Sequence, residues 1–332
     1  MRLNVMQVRR AALACGVLTA ALLGASCGGG QQVTTFSPTR LIAFGDETSV
    51  ILDINGDGNG AKYSVNATAS DTDPTLVCQG NPLWIQRLAA GFSGLVFAEC
   101  NPGPTPVTTP SSRIRATVGA HAADLAAQID AQLAESAFSA GDLVTVLVGV
   151  NDVLDQYAQY PTQSEPQITA NVEAAGAEVG RQVNRLADAG AKVIVSTIPD
   201  VGYSPFAIAE KAAHIDTDRQ TMIIRIVLRF NASLRSTIVN DGRRIGLVTA
   251  DELVESIVAF PGLDGITNTT TAACDLGQSK LTPASILDCT SQTLISGSGA
   301  ASNLWADDRH LSSGAQSALG DSALTRAKNN PF

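Results

Sequence analysis

The residues with the clearest chemical potential lie near the C-terminus, where Asp307 precedes His310 by three positions in DDRHLSSG at 307–314. A carboxylate at this spacing can hold an imidazole in one tautomer and orientation, as a general base requires. Such a pair also arises by chance, so its interpretation depends on the segments that accompany it. His121 and His214 fall in predicted helices without a companion motif, and we interpret both as structural or surface residues.

Three further segments place polar groups or glycine where the chain is expected to turn. FGDETS at 44–49 and GVND at 149–152 each end an apolar run, and Gly119 in RATVGAH precedes a helical pattern. Each is common by itself, because Gly, Asn and Asp are the ordinary residues of turns and caps. Their meaning therefore depends on the elements that position them.

Apolar runs with polar or glycine-containing exits predict buried strands, and the segments between them have helical spacing. The predicted strands are RLIAFGD at 40–46, GDLVTVLVGVND at 141–152, GAKVIVSTIPD at 190–200 and GRRIGLVTAD at 242–251. The predicted helices cover 82–91, 120–136, about 168–189, about 217–240 and 312–327. This alternation predicts one α/β domain over 38–332, with a parallel sheet covered on both faces. Ligands of such sheets bind beyond the carboxyl ends of the strands, where Asp46, Asn151 and Asp200 fall.

In this order and spacing the four segments resemble the blocks of the SGNH or GDSL-type esterase and lipase family. STIPDVGYSP at 196–205, FNASLR at 230–235 and NPLWIQRLA at 81–89 add to the resemblance, which covers nearly all of the chain after its leader. The sequence has no GxSxG, which argues against the ordinary α/β-hydrolase type. The resemblance implies a three-layer α/β/α sandwich with a mainly parallel, flavodoxin-like sheet. It also implies hydrolysis of carboxylic esters by acyl transfer without a cofactor.

The resemblance assigns roles to particular residues. The donors aimed at the developing oxyanion would be the backbone N–H of position 47, the backbone N–H of Gly119 and the side-chain amide of Asn151. A side chain at position 119 would obstruct the approach to that backbone. His310 would be the general base, oriented by Asp307.

The chain departs from the family at the nucleophile, because Glu47 follows Gly45-Asp46 where the family has serine. Three hypotheses remain open. Ser49 could replace the missing serine, or Glu47 could itself attack the ester or activate water. Alternatively, the Glu47 carboxylate fills the oxyanion hole and pairs with protonated His310, which predicts a catalytically inactive binding or structural protein.

The N-terminus predicts export. Arg2, Arg9 and Arg10 precede the apolar run 11–23 and the small residues at 24–26, which together predict a signal peptide over 1–26. Cys27 follows directly and begins a flexible tether over 27–37, as in bacterial lipoproteins. We therefore expect a lipid anchor at Cys27 in the cell envelope, most simply in the outer membrane, with a soluble periplasmic protein as the alternative.

The net charge limits the classes of partner, and the cysteine spacing predicts disulfides rather than a metal site. The leader holds three arginines and no acid, so 19 basic and 31 acidic side chains remain, a net charge of −12. Such a surface repels nucleic-acid phosphates, and we expect a monomer that binds a small-molecule ester or lipid. Four cysteines remain beyond Cys27, and of their three possible pairings we favour Cys78–Cys100 and Cys274–Cys289, since each closes a short loop. The absence of CxxC spacing argues against a metal site.

The segment DINGDGNG at 53–60 resembles the opening of a calcium loop, with Asp53, Asn55 and Asp57 at alternate positions. The twelfth position is Ser64 rather than the glutamate that closes such loops, and no flanking helices are predicted. We therefore interpret the segment as a turn between two strands. It opens the first of three stretches that are predicted to be irregular insertions near the site, 53–81, 101–113 and 261–303.

Overall fold

A sheet of five parallel strands is the central feature of the fold, in a computed structural model that describes residues 36–329 apart from 102, 104–106 and 108. The strands of this sheet and of two smaller ones are β1 (Arg40–Gly45), β2 (Ile51–Leu52), β3 (Ala61–Lys62), β4 (Ser112–Ile114), β5 (Asp142–Leu147), β6 (Lys192–Ser196), β7 (Ile245–Val248), β8 (Asn268–Ala272) and β9 (Asn303–Trp305). The five parallel strands lie in the order β4-β1-β5-β6-β7. Counted along the chain, this is the 2-1-3-4-5 order of flavodoxin-like sheets.

Helices cover both faces of the sheet. They are α1 (Trp84–Ala90), α2 (Leu125–Glu135), α3 (Val150–Tyr157), α4 (Glu165–Asp188), α5 (Pro205–Ala213), α6 (Arg219–Thr237), α7 (Ala250–Ala259) and α8 (Ser313–Asn329). Helix α1 packs against α8, whereas α4 packs against α2 and α6. Right-handed crossovers place these two groups on opposite faces. The predicted three-layer α/β/α fold is confirmed.

Strand β1 is buried on both faces of the sheet. Leu41, Ile42 and Phe44 of β1 are fully buried although successive side chains point to opposite faces, which requires cover on both sides. On one face α4 and α6 approach closely at Gly176, where a Cβ atom would stand 2.2 Å from the backbone oxygen of Phe230. Only glycine allows this approach, so the helix layer is fixed by packing rather than by helix propensity.

The sequence locates most of these elements but not all of them. Each predicted strand segment contains a strand of the sheet, and the predicted helices correspond to α1, α2, α4, α6 and α8. The edge strand β4 is missed because two of its three residues lie in a stretch that the sequence predicts to be irregular. Helices α3, α5 and α7 are also missed. Helices α3 and α7 begin at Val150 and Ala250, so soon after β5 and β7 that almost no loop separates strand from helix, and α5 lies between the predicted strand at 190–200 and the predicted helix at 217–240.

The insertions 53–81 and 261–303 pack against each other in a small core that includes Val65, Ile286 and Ala306. Both predicted disulfides are present, and each joins Cα atoms 5.6 Å apart: Cys78–Cys100 and Cys274–Cys289. A disulfide stabilises a loop-rich segment mainly by limiting its unfolded conformations. Each insertion is therefore cross-linked by one disulfide, and the two insertions share the small core.

The segment 53–60 connects β2 and β3, which form an antiparallel pair, so the predicted turn between two strands is confirmed. The carboxylate of Asp53 accepts hydrogen bonds from the backbone N–H groups of Gly56, Asp57 and Gly58. These contacts shape the turn from within, as aspartate commonly does in such loops.

The predicted signal peptide at 1–26 lies outside the described residues, and so does most of the tether at 27–37, including Cys27. The compact unit that contains the sheet begins at Phe36. Within the described part of the chain, no helix combines the length and the apolar character that crossing a bilayer demands.

Candidate active site

The candidate site lies at the carboxyl edge of the sheet, between β1 and β5. Gly45 at the end of β1 is level with Leu147 at the end of β5, so the residues that follow both strands emerge side by side. In a sheet of this order the strand order reverses between β1 and β5, because the chain leaves the two strands towards opposite edges of the sheet, and this opens the crevice where ligands bind. Glu47 enters it from one side and Asn151 from the other.

Glu47 begins a short 3₁₀ turn that ends at Ser49. The turn is capped by Asp46, whose Oδ1 accepts a hydrogen bond from the backbone N–H of Thr48 at 3.0 Å. Glu47 is therefore held at the strand exit and is only 8% exposed. A capping aspartate and a short turn therefore fix the position of Glu47 directly after β1.

The carboxylate of Glu47 accepts hydrogen bonds from the predicted oxyanion donors. Its Oε2 accepts hydrogen bonds from the backbone N–H of Gly119 at 2.8 Å and from Nδ2 of Asn151 at 3.1 Å. The backbone N–H of Glu47 itself also stabilises the charged form. Asn151 Nδ2 donates in addition to the backbone oxygen of Ala120 at 3.1 Å, which fixes the direction of the amide. All three predicted donors thus act on one carboxylate.

Two glycines, Gly119 and Gly149, are required at the donor positions for reasons that depend on the structure. Gly119 has a φ of +74°, while a Cβ atom there would meet no heavy atom of the described residues within 4 Å, so conformation rather than crowding selects glycine. At Gly149, which caps α3 ahead of Asn151, φ is +131° and a Cβ atom would stand 2.1 Å from the ring of Phe230. Both glycines set the direction of a donor.

His310 is oriented by Asp307, as the spacing predicts. Nδ1 of His310 lies 2.7 Å from Oδ2 of Asp307. Oδ1 of the same carboxylate accepts the backbone N–H groups of Arg309 and His310. Burial by itself would raise the pKa of Asp307, but the charge of His310 and these donors lower it. The carboxylate is therefore an anion that keeps the imidazole in one orientation.

Glu47 and His310 form an ion pair. Nε2 of His310 lies 3.6 Å from Oε1 of Glu47, an ion-pair distance beyond ordinary hydrogen-bond length. Burial opposes the charge on each partner, yet Asp307 and Glu47 raise the pKa of His310 to about 10. His310 and the backbone donors likewise lower the pKa of Glu47 to about 2 against the cost of burial. At neutral pH both side chains are charged.

Asp46 adds a second buried carboxyl group to the site. It is fully buried, and its Oδ2 has no hydrogen-bond partner among the described residues. Burial, and after it the negative charge of Glu47, raise the pKa of Asp46 to about 7. Two adjacent carboxyl groups resist ionising together, so Glu47 carries its charge partly at the expense of Asp46.

Ser49 lies apart from this arrangement. It is fully buried, and its hydroxyl oxygen accepts a hydrogen bond from Nε1 of Trp84 at 3.0 Å. No hydrogen bond between described residues joins Ser49 to His310. A nucleophilic serine needs its hydroxyl within hydrogen-bonding reach of the base, so this conformation does not bring that pair together.

The remaining polar residues singled out in the sequence have other roles. The buried side chain of Asp200 accepts a hydrogen bond from the backbone N–H of Gly202, which caps the turn after β6. His121 lies 2.9 Å from a carboxylate oxygen of Asp155, and His214 is also partly exposed. In the described part of the chain, no cluster of three or more His, Cys, Asp or Glu side chains is arranged to hold a metal ion.

Two residues of the site escape the sequence reasoning. The ring of Tyr63 lies 5.7 Å from the imidazole of His310, between centroids, although Tyr63 belongs to a segment interpreted as an insertion. The guanidinium of Arg309 lies over the ring of Phe206 and forms a salt bridge with Asp308. Arg309 lies within the Asp307-x-x-His310 motif and could have been found there, whereas no signal in the sequence points to Tyr63.

Comparison with known proteins supports the predicted resemblance. The GDSL-like lipase/acylhydrolase family matches residues 56–323 of this chain. A search of curated proteins found no significant match. Among solved structures, the chain is similar to the acetylxylan esterase Axe2 from Geobacillus stearothermophilus, with 13% identity and a TM-score of 0.42 over 89% of this chain and 96% of the other. It is also similar to the acetyl xylan esterase AlAXEase, with 13% identity and a TM-score of 0.39 over 85% and 96%.

Likenesses this distant carry no inference about the substrate of this chain. The family match is of a different kind, because it spans well over half of the sequence and includes the segments of Gly119 and Asn151 and the motif of Asp307 and His310. The predicted resemblance is confirmed, and the protein belongs to the GDSL-like lipase/acylhydrolase family, whose chemistry is the hydrolysis of acyl esters.

Proposed function

We propose that this protein is a hydrolytically silent member of its family at neutral pH, with a binding or structural role in the cell envelope. One observation carries the proposal: the carboxylate of Glu47 accepts hydrogen bonds from Gly119 and Asn151, the donors that the family directs at its substrate. The ligands that such a protein would retain are small esters or lipids, the ligand class that family membership implies.

Acyl transfer needs a nucleophile, a base and free oxyanion donors, and the Glu47–His310 pair compromises all three. A carboxylate whose pKa is lowered to about 2 is a weak nucleophile. An imidazole whose pKa is raised to about 10 already holds its proton at neutral pH and cannot accept another. The donors are engaged by a permanent negative charge in place of a transient one. Glu47 thus acts as an internal analogue of the carboxylate product.

The substitution Glu47→Ser tests this proposal. Removing the carboxylate frees Gly119 and Asn151 and lets His310 lose its proton near neutral pH, so the three requirements are restored together. We expect kcat/KM for p-nitrophenyl acetate to rise at least about 100-fold above wild type. The matched control is Glu47→Ser combined with His310→Ala, which keeps the serine but lacks the base and should remain at the wild-type level. No gain in Glu47→Ser would sink the proposal.

Hydrolysis through Glu47 is the second candidate. It is favoured by the 2.7 Å contact between Asp307 and His310, since a silent site has no need of an oriented imidazole. In this mechanism a Glu47 oxygen attacks the ester carbonyl, and the alcohol leaves with a proton from His310. The neutral imidazole then takes a proton from the water that cleaves the acyl anhydride, which releases the carboxylic acid and restores the Glu47 carboxylate and protonated His310. Wild-type esterase activity that disappears in Glu47→Gln but persists in Ser49→Ala would establish it. Activity lost in Ser49→Ala would instead make Ser49 the nucleophile.

We also propose that the protein is anchored in the cell envelope by a lipid on Cys27. The supporting features are the three arginines, the apolar run and the glycine-rich tether of the N-terminal sequence. One acyl chain gives only reversible membrane binding, so stable anchoring requires more than one chain at this cysteine. Detergent partitioning of the full chain that is lost in Cys27→Ser would support the anchor. Equal partitioning of both proteins would exclude it.

A further inference from the structure

The insertion 53–81 contains a turn, residues 62–66, that contacts the site from outside the family's four segments. Lys62 is fully buried, and its ammonium donates to three backbone oxygens, those of Cys78 at 2.8 Å, Gly80 at 2.6 Å and Asn81 at 2.8 Å. Three protons meet three acceptors, which compensates the charge at this depth. The start of the turn is thereby fixed to the loop that contains the first disulfide.

The end of the turn is fixed to the second disulfide loop. Oδ1 of Asn66 accepts the backbone N–H of Lys62 at 2.8 Å, and Nδ2 of Asn66 donates to the backbone oxygen of Lys62 at 3.0 Å. The backbone N–H of Asn66 donates to the oxygen of Cys289 at 2.7 Å. Because one asparagine closes the turn on itself and joins it to another loop, the residues between its ends have little freedom to move.

Two residues between these ends, Tyr63 and Ser64, lie against the segment that contains His310. The hydroxyl of Ser64, which is fully buried, donates to the backbone oxygen of Leu311 at 2.9 Å. Leu311 directly follows His310, whose ring lies 5.7 Å from that of Tyr63. One residue of the turn thus binds the backbone directly after His310, and its neighbour lies beside the imidazole ring.

We propose that the turn at 62–66 is a positioning element for His310, with Ser64 fixing its backbone and Tyr63 shielding its ring from water. Lys62 and Asn66 support both contacts by joining the turn to the two disulfide loops. This role is independent of whether the site hydrolyses esters, because it concerns the orientation and environment of the imidazole alone. It gives the insertion a specific task beside the site.

The electrostatic surroundings of His310 provide the readout. The charged and titratable groups that act on it or lie beside it are Asp307, Glu47, Asp46, Tyr63 and Arg309. Burial lowers the pKa of His310 while the two nearest carboxylates raise it, and the net effect is upward. Admitting water weakens both influences, so loss of the shielding ring should bring the pKa back towards 6.5, its ordinary value.

The test is a pH titration by NMR of the full chain labelled at the histidine Cε1 position. The sequence has three histidines, so His121 and His214 serve as internal references. We expect Tyr63→Ala to weaken proton binding at His310 about tenfold, which is about one in pKa. Tyr63→Phe keeps the ring and should leave the titration of His310 unchanged.

Ser64→Ala tests the backbone contact with a smaller change. We expect it to lower the pKa of His310 by less than Tyr63→Ala does and to broaden its signal, because the segment behind the imidazole is released. Ser70→Ala is the matched control, since it removes an exposed hydroxyl of the same insertion that contacts only nearby residues.

Two outcomes would overturn the proposal. If Tyr63→Ala and Ser64→Ala lower the melting temperature while the titration of His310 stays at its wild-type position, the turn is merely structural. If Ser70→Ala displaces the titration as far as Ser64→Ala does, the effect is a general loosening of the insertion.

Discussion

Glu47 after β1 and Lys62 in β3 are both buried charged side chains, and they are compensated in different ways. The ammonium of Lys62 donates to three backbone oxygens of the turn at 78–81, at 2.6–2.8 Å. The carboxylate of Glu47 has donors too, but its charged partner is the side chain of His310 at 3.6 Å. One charge is satisfied by the main chain and the other by a group that can itself gain or lose a proton.

This difference separates a charge with fixed partners from a charge whose partner titrates. Backbone carbonyls do not titrate, so the partners of Lys62 stay the same at every pH, although burial lowers the pKa of the ammonium itself to about 7. The partner of Glu47 titrates, and each member of that pair shifts the pKa of the other. Substitutions at Lys62 should therefore change stability, whereas substitutions at Glu47 or His310 should change protonation.

Lys62→Met should give the largest loss of stability. It preserves the length of the side chain but leaves three buried carbonyl oxygens without their donor, and we expect the free energy of unfolding to fall by about 4 kcal/mol. Urea denaturation measures this loss. Lys280→Met is the control, because Lys280 is exposed and its removal should change stability by less than about 0.5 kcal/mol. Equal losses in the two variants would contradict a structural role for the buried ammonium.

Glu47→Gln should act on protonation more than on stability. The substitution removes the negative charge that faces His310 and keeps Asp307, so the pKa of His310 should fall from about 10 by about two, or about 2.7 kcal/mol. The histidine NMR titration measures it directly. Glu252→Gln, which changes an exposed glutamate paired with Arg235, should leave His310 where it is. A pKa that does not move in Glu47→Gln would show that the ion pair is absent in solution.

The same pair predicts how stability depends on pH above neutrality. Because the folded-state pKa of His310 is raised from 6.5 to about 10, its stabilising contribution is complete below pH 6.5 and is lost as the pH rises through about 10. We expect about 2 kcal/mol of the alkaline loss of wild type to be missing in His310→Gln. The pKa of Lys62 is lowered by burial and contributes with the opposite sign, but it is common to both proteins and cancels. Parallel curves for the two proteins would refute the prediction.

Gly119→Ala should have the smallest effect. Its φ of +74° costs an alanine about 1 kcal/mol, while no heavy atom of the described residues lies within 4 Å of the added Cβ. The N–H donor to Glu47 is retained, so the titration of His310 should be unchanged. In Gly149→Ala the Cβ atom would stand 2.1 Å from the ring of Phe230, and thermal denaturation should reveal a larger loss. Equal losses would mean that the crowding at Gly149 is relieved at no cost.

A large part of the fold could be predicted because its signals are local. The buried strands β1, β5, β6 and β7 are runs of β-branched and apolar residues with polar exits, and the long helices α4 and α6 have helical spacing over many turns. The short edge strand β4 has no such run, and its place beside β1 comes from pairing with a distant segment. A three-residue strand is decided by its neighbours rather than by its own composition.

The candidate site divides in the same way. From the sequence we predict that Glu47 occupies the position of the family's serine, and the spacing of Asp307 and His310 predicts an oriented imidazole. The contacts of Glu47 depend on the tertiary structure, since its donors Gly119 and Asn151 are 72 and 104 positions away along the chain.

The contacts of the insertion belong to the tertiary structure as well. Ser64 donates a hydrogen bond to the backbone oxygen of Leu311, which is 247 positions away along the chain, and the composition of residues 62–66 does not predict that contact. Hydrophobic periodicity and motif spacing are local properties of the sequence, so they can be recognised without knowledge of the tertiary structure. The partner of a buried charge, and the wall that shields it, are set by which distant segments the completed core brings within a few ångströms of each other.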